Sequence, residues 1–211
     1  ASARRPYPHG SWSQCVWMHQ GNAEIEKRNW DVDIYQPADI DFFLITHAHI
    51  DHSGLLPRIV KKGFRGKIYT TPPTKDLLKI LLLDSAHIQE MEAQWKSKKH
   101  LRSGEEKIKP LYTQKDAEAV FPMFNVVSYG EVLQPFGGLK VTFKDAGHIL
   151  GASLIELSVE ENGATVKLVF SGDIGRPAQL LMEDPSVVDT ADFLFLESTY
   201  GDRNHKNEDD S

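Results

Sequence analysis

His47-Ala48-His49-Ile50-Asp51-His52 places three imidazoles and one carboxylate in six positions, directly after the apolar run Phe42-Phe43-Leu44-Ile45. Imidazole nitrogen and carboxylate oxygen together suit a borderline cation such as zinc. In an extended chain, residues two apart share a face, so His47 and His49 leave a strand end on one side. Asp51 and His52 then fall in the turn beyond. Ser53 and Gly54 can open a helix whose apolar side is Leu55, Leu56, Ile59 and Val60. A strand end thus offers one pair of ligands and the turn offers a second, which can hold two metals side by side. The plain alternative, solvated turn residues, leaves so dense a cluster unexplained.

Three further strand ends carry ligand types. Asp145-Ala146-Gly147-His148 follows a strand, with Gly151 close behind. A lone histidine is more often structural, but loops at strand ends are where sites are built. Ser171-Gly172-Asp173 closes the strand 167–170, where an aspartate commonly serves as a turn or cap residue. Glu197 ends the run Phe193-Leu194-Phe195-Leu196, and an acid there needs a partner if buried. Together with the first cluster, these residues could converge on one edge of a sheet. His87 reads as an ordinary helix residue, and His9, His19, His100 and His205 are assigned no metal. Cys15 lacks a cysteine partner at finger-like spacing. The basic run Lys61-Lys62-Gly63-Phe64-Arg65 reads as a solvated helix end.

The elements that must position these groups follow from periodicity. Strands are expected at 41–46, 67–70, 125–128, 139–144, 153–159, 166–171 and 193–197. Glu161-Asn162-Gly163 marks a hairpin turn between two of them. Helices are expected over 55–62, from an N-cap near Thr74 with Leu77, Leu81, Ile88, Met91 and Trp95 at helical spacing, and over 116–121. Residues 97–109 read as a solvated connection, and residues 1 to about 30 show neither period. Strands with interspersed helices predict an α/β or α+β layered domain. The chain's 211 residues suffice for one sizeable core. No apolar run approaches the ~20 residues of a membrane span, so no membrane partner is expected. The net charge of −6 gives no overall basic footprint for nucleic acid, though a local groove could still be basic. A single cysteine excludes an internal disulfide and fits a cytoplasmic location.

Taken in order, these residues resemble the metallo-β-lactamase superfamily. Its His-x-His-x-Asp-His block is matched by His47, His49, Asp51 and His52, its lone histidine by His148, and its bridging aspartate by Asp173. The segment Leu196-Glu197-Ser198-Thr199-Tyr200-Gly201-Asp202-Arg203-Asn204-His205 is similar to the β-CASP branch of RNA-processing nucleases. The resemblance implies a four-layer αβ/βα sandwich, incomplete at both ends. It implies one zinc held by His47, His49 and His148, a second by Asp51 and His52, and Asp173 bridging the two. Asp51 and Glu197 are then the candidates for catalytic roles, Asp51 as ligand and proton acceptor, Glu197 as the acid that orients a histidine. The implied reaction is cleavage of RNA phosphodiester bonds by a hydroxide shared between two zinc ions. A hydrolase of a small ester or thioester, or an inactive scaffold that binds RNA or a partner, are the competing readings. Oligomeric state stays open, a homodimer being one option.

Two departures shape the expected organisation. Gln20-Gly21 is present, but Val16-Trp17-Met18-His19 precedes it where the family carries an aspartate that supports a metal-bound histidine. Residues 1–20 therefore read as an atypical or non-native start, 21–205 as the metallo-β-lactamase domain, and 206–211 as a tail where a β-CASP domain would follow. The genomic sequence across residues 15–25 decides the first point: an intact, native frame would exclude a foreign start. The family's last two histidines, one a zinc ligand, should lie beyond such a domain. These 211 residues are thus expected to bind the first zinc more tightly than the second and to cut RNA weakly or not at all. Metal analysis with a labelled-RNA assay checks this, and robust cleavage would refute it.

Overall fold

A computed structural model describes residues 18–19, 21, 23–100, 107–199 and 201. Cys15, Gln20, Tyr200, the last motif's residues 202–205, and the segment limits drawn at 1–20 and 206–211 lie outside the described residues. Eight described strands form two sheets. β1 (Phe42–Leu44), β2 (Lys67–Thr70) and β3 (Phe124–Val126) run parallel in that order. β4 (Val132–Phe136), β5 (Leu139–Asp145), β6 (Ser153–Glu161) and β7 (Ala164–Phe170) form an antiparallel meander, and β8 (Phe193–Phe195) joins β7 in parallel. The helices are α1 (Ala23–Glu26), α2 (Ile50–Ser53), α3 (Leu56–Lys61), α4 (Pro72–His100) and α5 (Gln114–Glu118).

Strand period separates two cores. Phe42, Leu44 and Tyr69 turn toward the five-stranded sheet and pack with Leu139, Val141, Phe143, Ile155 and Leu157. Phe43, Ile45 and Ile68 turn the other way, onto Leu56, Ile59, Val60, Leu78, Leu82 and Ala86 of α3 and α4. A strand covered on both faces has no polar side, which is why Phe42 to Ile45 is an unbroken apolar run. Helices, parallel sheet and five-stranded sheet make three layers of a mixed α/β fold. The far face of the five-stranded sheet carries charge instead, with Glu156 between Lys144 (3.0 Å) and Lys167 (3.1 Å). The fourth layer of the expected sandwich is therefore not represented among the described residues. No described helix is long and apolar enough to cross a membrane.

Several expectations need correction. Asp51 and His52 lie in the single helical turn α2, not in an open turn. α4 starts at Pro72, where a missing N–H costs nothing, and Thr74 is inside it. It also continues past Ser97, which is buried and exchanges hydrogen bonds with the backbone of Ile108 (2.9 and 3.2 Å). Its buried seam is Leu78, Leu82, Ala86 and Ala93, while Ile88, Met91 and Trp95 stay exposed. Adjacent leucines at 77–78 and 81–83 made two faces equally apolar, so period alone did not choose between them. β4 was not among the expected strands; it contains Pro135, and Gly137-Gly138 follow it. It is an edge strand, where proline is tolerated. The hairpin was read correctly: Asn162 and Gly163 both have positive φ (51° and 81°), as a type I′ turn requires.

α5 begins at Gln114, two residues earlier than expected, because Thr113 and Asp116 form a reciprocal cap. Asp116 accepts from the Thr113 N–H (2.9 Å) and pairs with Lys61 of α3 (2.7 Å). Burial would raise its carboxyl, but the Lys61 and Thr113 bonds outweigh this and hold it below its ordinary value. Its stabilising contribution is therefore complete above the unfolded value of about 3.9 and is lost as pH falls through the lower folded value. Asp116→Asn should cost about 1 kcal/mol at pH 6 to 7. Urea midpoints of the two proteins should converge as pH falls below about 4; a gap unchanged at pH 3 would contradict the assignment.

Candidate metal centre

The C-terminal end of β1 runs through Ile45 and Thr46 into His47, whose side chain is fully buried. His49 follows at the mouth of α2 with extended backbone (φ −55°, ψ 143°). Ser53 closes the turn by donating to the carbonyls of Ala48 (3.2 Å) and His49 (2.9 Å). His148 lies in the loop between β5 and β6, and Asp173 follows β7. Ligands commonly bind where parallel strands end and chain segments diverge, and these elements deliver their polar groups to such an edge.

The donors meet closely. His47 Nε2 is 3.1 Å from His49 Nδ1, and His148 Nε2 is 3.2 Å from the same nitrogen. Asp173 Oδ2 lies 3.5 Å from both His47 Nε2 and His148 Nε2, and 4.0 Å from His49 Nδ1. All four donor atoms lie within 4.8 Å of one another. The other oxygen of Asp173, Oδ1, faces His52 Nε2 at 3.2 Å, and His52 is 3.4 Å from Asp51 Oδ2. One carboxylate thus looks both ways, toward the three-histidine group and toward the Asp51–His52 pair. All six residues singled out by spacing come together.

The donor set fits a cation. Burial, then the neighbouring imidazoles, lowers the affinity of His49 and His148 for a proton, so both stay neutral with a free lone pair. Three ring nitrogens converging at 3.1–3.2 Å cannot all be satisfied by one another's hydrogens. A tetrahedral ion with bonds of about 2.0–2.1 Å sets its ligands roughly 3.3 Å apart, close to these separations. Asp173 is held far below the usual carboxylate range by its bonds from His47 and His52, and remains an anion. His52 differs from its neighbours. Burial pulls it down, but the bond and charge of Asp173, with Asp51 and Glu197 behind, raise it overall. Exposure is graded, from His47 (0%) and His52 (10%) at the base to His49 (43%) and Asp51 (48%) at the open side.

Supporting groups were only partly legible. Thr46 Oγ1 is 3.1 Å from His47 Nδ1, so a neighbouring hydroxyl meets the second ring nitrogen of this histidine. Only its position next to the histidine hinted at this. Glu197 Oε1 accepts from the Ile174 N–H (2.6 Å), and its own N–H donates to Ser171 Oγ (3.0 Å). It braces the segment on both sides of Asp173. His87 lies exposed on α4.

Comparison with known proteins gives the geometry its context. A family model described as the metallo-beta-lactamase superfamily domain matches residues 15–174, which include all six clustered residues. The chain is 33% identical over 189 residues to "Ribonuclease TTHA0252" of Thermus thermophilus, covering 90% of this chain and 38% of that protein. It is 37% identical over 167 residues to "Transcription termination factor FttA" of Thermococcus kodakarensis (78% and 23%). It is 31% identical over 175 residues to "Endoribonuclease YSH1" of Yarrowia lipolytica (82% and 19%). The chain therefore spans about two fifths of the first relative and a quarter or less of the other two. With most of its length matched by the family model and the six donors gathered at one sheet edge, the chain belongs to the metallo-beta-lactamase superfamily.

Proposed function

We propose that this chain carries the metal-binding half of a zinc-dependent ribonuclease of the β-CASP type, acting on RNA phosphodiester bonds. The observation that carries it is Asp173, whose two oxygens face two separate sets of donors (3.5 and 3.2 Å). Two adjacent ions suit in-line displacement at phosphorus, where charge develops on both the attacking and leaving oxygens. The ribonuclease and endoribonuclease named among the relatives support RNA as the substrate.

The charge balance supports the same reading. Asp51, Asp173 and Glu197 set three acidic groups around the histidines, so the protein's own groups do not favour a phosphodiester. Cations reverse that sign. When bound, they supply Lewis acidity and lower the pKa of water toward ~7. His47, His49 and His148 would hold the first ion, Asp51 and His52 the second, with Asp173 between. Zinc follows from the predominance of imidazole with no thiolate among these donors. Asp51 is half exposed on the open side, placed to take up a proton as a phosphodiester enters. Glu197 fixes the backbone that carries Asp173. A cytoplasmic location belongs to the same proposal, supported by the single cysteine.

Two outcomes follow. Zinc at about 100-fold over its Kd should stabilise the chain by about 2.7 kcal/mol, raising the melting temperature by roughly 5–10 °C. His49→Ala should abolish that rise, and an equal rise in the variant would exclude the three-histidine group. In the complete gene product, labelled single-stranded RNA should be cut, with loss on chelation and recovery with zinc. Asp173→Ala should reduce cleavage at least 100-fold, given the several kcal/mol expected of a metal-held reaction centre. Cleavage that survives both chelation and Asp173→Ala would sink the proposal.

A further inference from the structure

Gly151 lies three residues past His148, and its carbonyl oxygen accepts two hydroxyl donors from a distant part of the fold. Thr71 Oγ1 is 2.6 Å away and Thr74 Oγ1 is 2.8 Å away. Both threonines are essentially inaccessible to solvent and sit at the start of α4. Each hydroxyl has one hydrogen, and the two oxygens also lie 3.0 Å apart; when both donate to Gly151 they fill both lone pairs of its carbonyl and neither donates to the other. Thr71 Oγ1 then stays free to accept the Thr74 N–H, a long contact at 3.4 Å.

The approach is close enough to require glycine. At φ +84°, a Cβ on residue 151 would come within 2.6 Å of the Thr74 nitrogen, 2.7 Å of its Oγ1 and 2.8 Å of Thr71 Oγ1. The loop is also closed on itself by Ala146 N–H to Ala152 O (3.1 Å) and Ala152 N–H to Ile149 O (2.8 Å). Those bonds give the loop its shape but not its place relative to the parallel sheet. Ser153 Oγ to Thr46 O (2.8 Å) supplies one tie across to the strand that bears His47. The Ser153 N–H reaches the same carbonyl (2.9 Å), Tyr129 O–H donates to the Ala152 carbonyl (2.8 Å), and the threonine pair supplies a further tie next to His148.

We propose that Thr71 and Thr74 are positioning residues for the metal centre: by clasping Gly151 they set the distance of His148 from His47 and His49. The inference rests on the reading of that cluster as a metal site. Buried groups that orient a ligand alter metal affinity without touching the ion. Either hydroxyl alone still satisfies the carbonyl, so the two losses are coupled rather than additive.

Zinc affinity of the 211-residue chain, measured by competition with a chromophoric chelator, tests this alongside the visible spectrum of the cobalt(II) form. Thr71→Val and Thr74→Val singly should each change Kd less than about threefold, whereas the double variant should weaken it about 10–100-fold and alter the cobalt bands. Thr71→Ser with Thr74→Ser, which keeps both hydroxyls, should restore both readouts. Gly151→Ala is an independent arm that should also weaken zinc binding, and it decides the matter if the double valine variant fails to fold. Wild-type affinity and cobalt spectrum in Gly151→Ala or a folded double variant, with only the metal-free melting temperature lowered, would overturn the clasp. If the unaltered chain binds neither metal, the metal reading itself fails and the clasp falls with it.

Discussion

Three imidazole nitrogens and a carboxylate held within 4.8 Å of each other do not form a comfortable arrangement without a cation. Lone pairs directed at one point repel, and an anion beside them is stabilised by whatever hydrogens the histidines can offer. Something must hold these groups in place. Here it is a set of side-chain hydroxyls: Thr70 to the Ile45 carbonyl within the parallel sheet, Ser153 to the Thr46 carbonyl across to the second sheet, and Thr71 and Thr74, at the start of α4, to Gly151. Most of these groups are buried. An unpaired polar group there costs about 1–3 kcal/mol, so each bond resists displacement of the ligand next to it.

The layered fold explains why the cluster sits where it does. β1 is covered on both faces, one by aromatic and aliphatic residues of the second sheet, the other by α3 and α4. That packing leaves the strand's end as its only polar outlet, and His47 emerges there with no solvent exposure. β7 reaches the same edge from the second sheet, so Asp173 arrives opposite. Gly172, with φ +54°, packs against Thr46 so closely that a Cβ would lie 2.8 Å from the threonine Cβ. The aspartate can then reach both halves of the site because the backbone just before it has no side chain.

The ligand set was legible because its signals are local. Each donor follows a recognisable apolar run, and the histidines of the first block specify one another by spacing. The supporting shell was not legible, because its partners are remote: Thr71 and Gly151 are 80 positions apart, and nothing in either neighbourhood names the other. The same limit applied to Glu197, whose type and strand-end position were clear while its partner, the Ile174 N–H, was not. In α4, leucines on adjacent positions left the buried face undetermined until the parallel sheet chose Leu78 and Leu82. Strand β4, not among the expected strands, contains a proline that only an edge position tolerates.

X-ray absorption at the zinc edge, on protein loaded with one equivalent of metal, tests the central claim most directly. The account predicts a shell of nitrogen and oxygen only, at about 2.0–2.1 Å, with the multiple-scattering signature of close to three imidazoles. That signature should fall by about one imidazole in His148→Ala. A shell containing sulfur at about 2.3 Å, or one whose imidazole count is unchanged by His148→Ala, would contradict it.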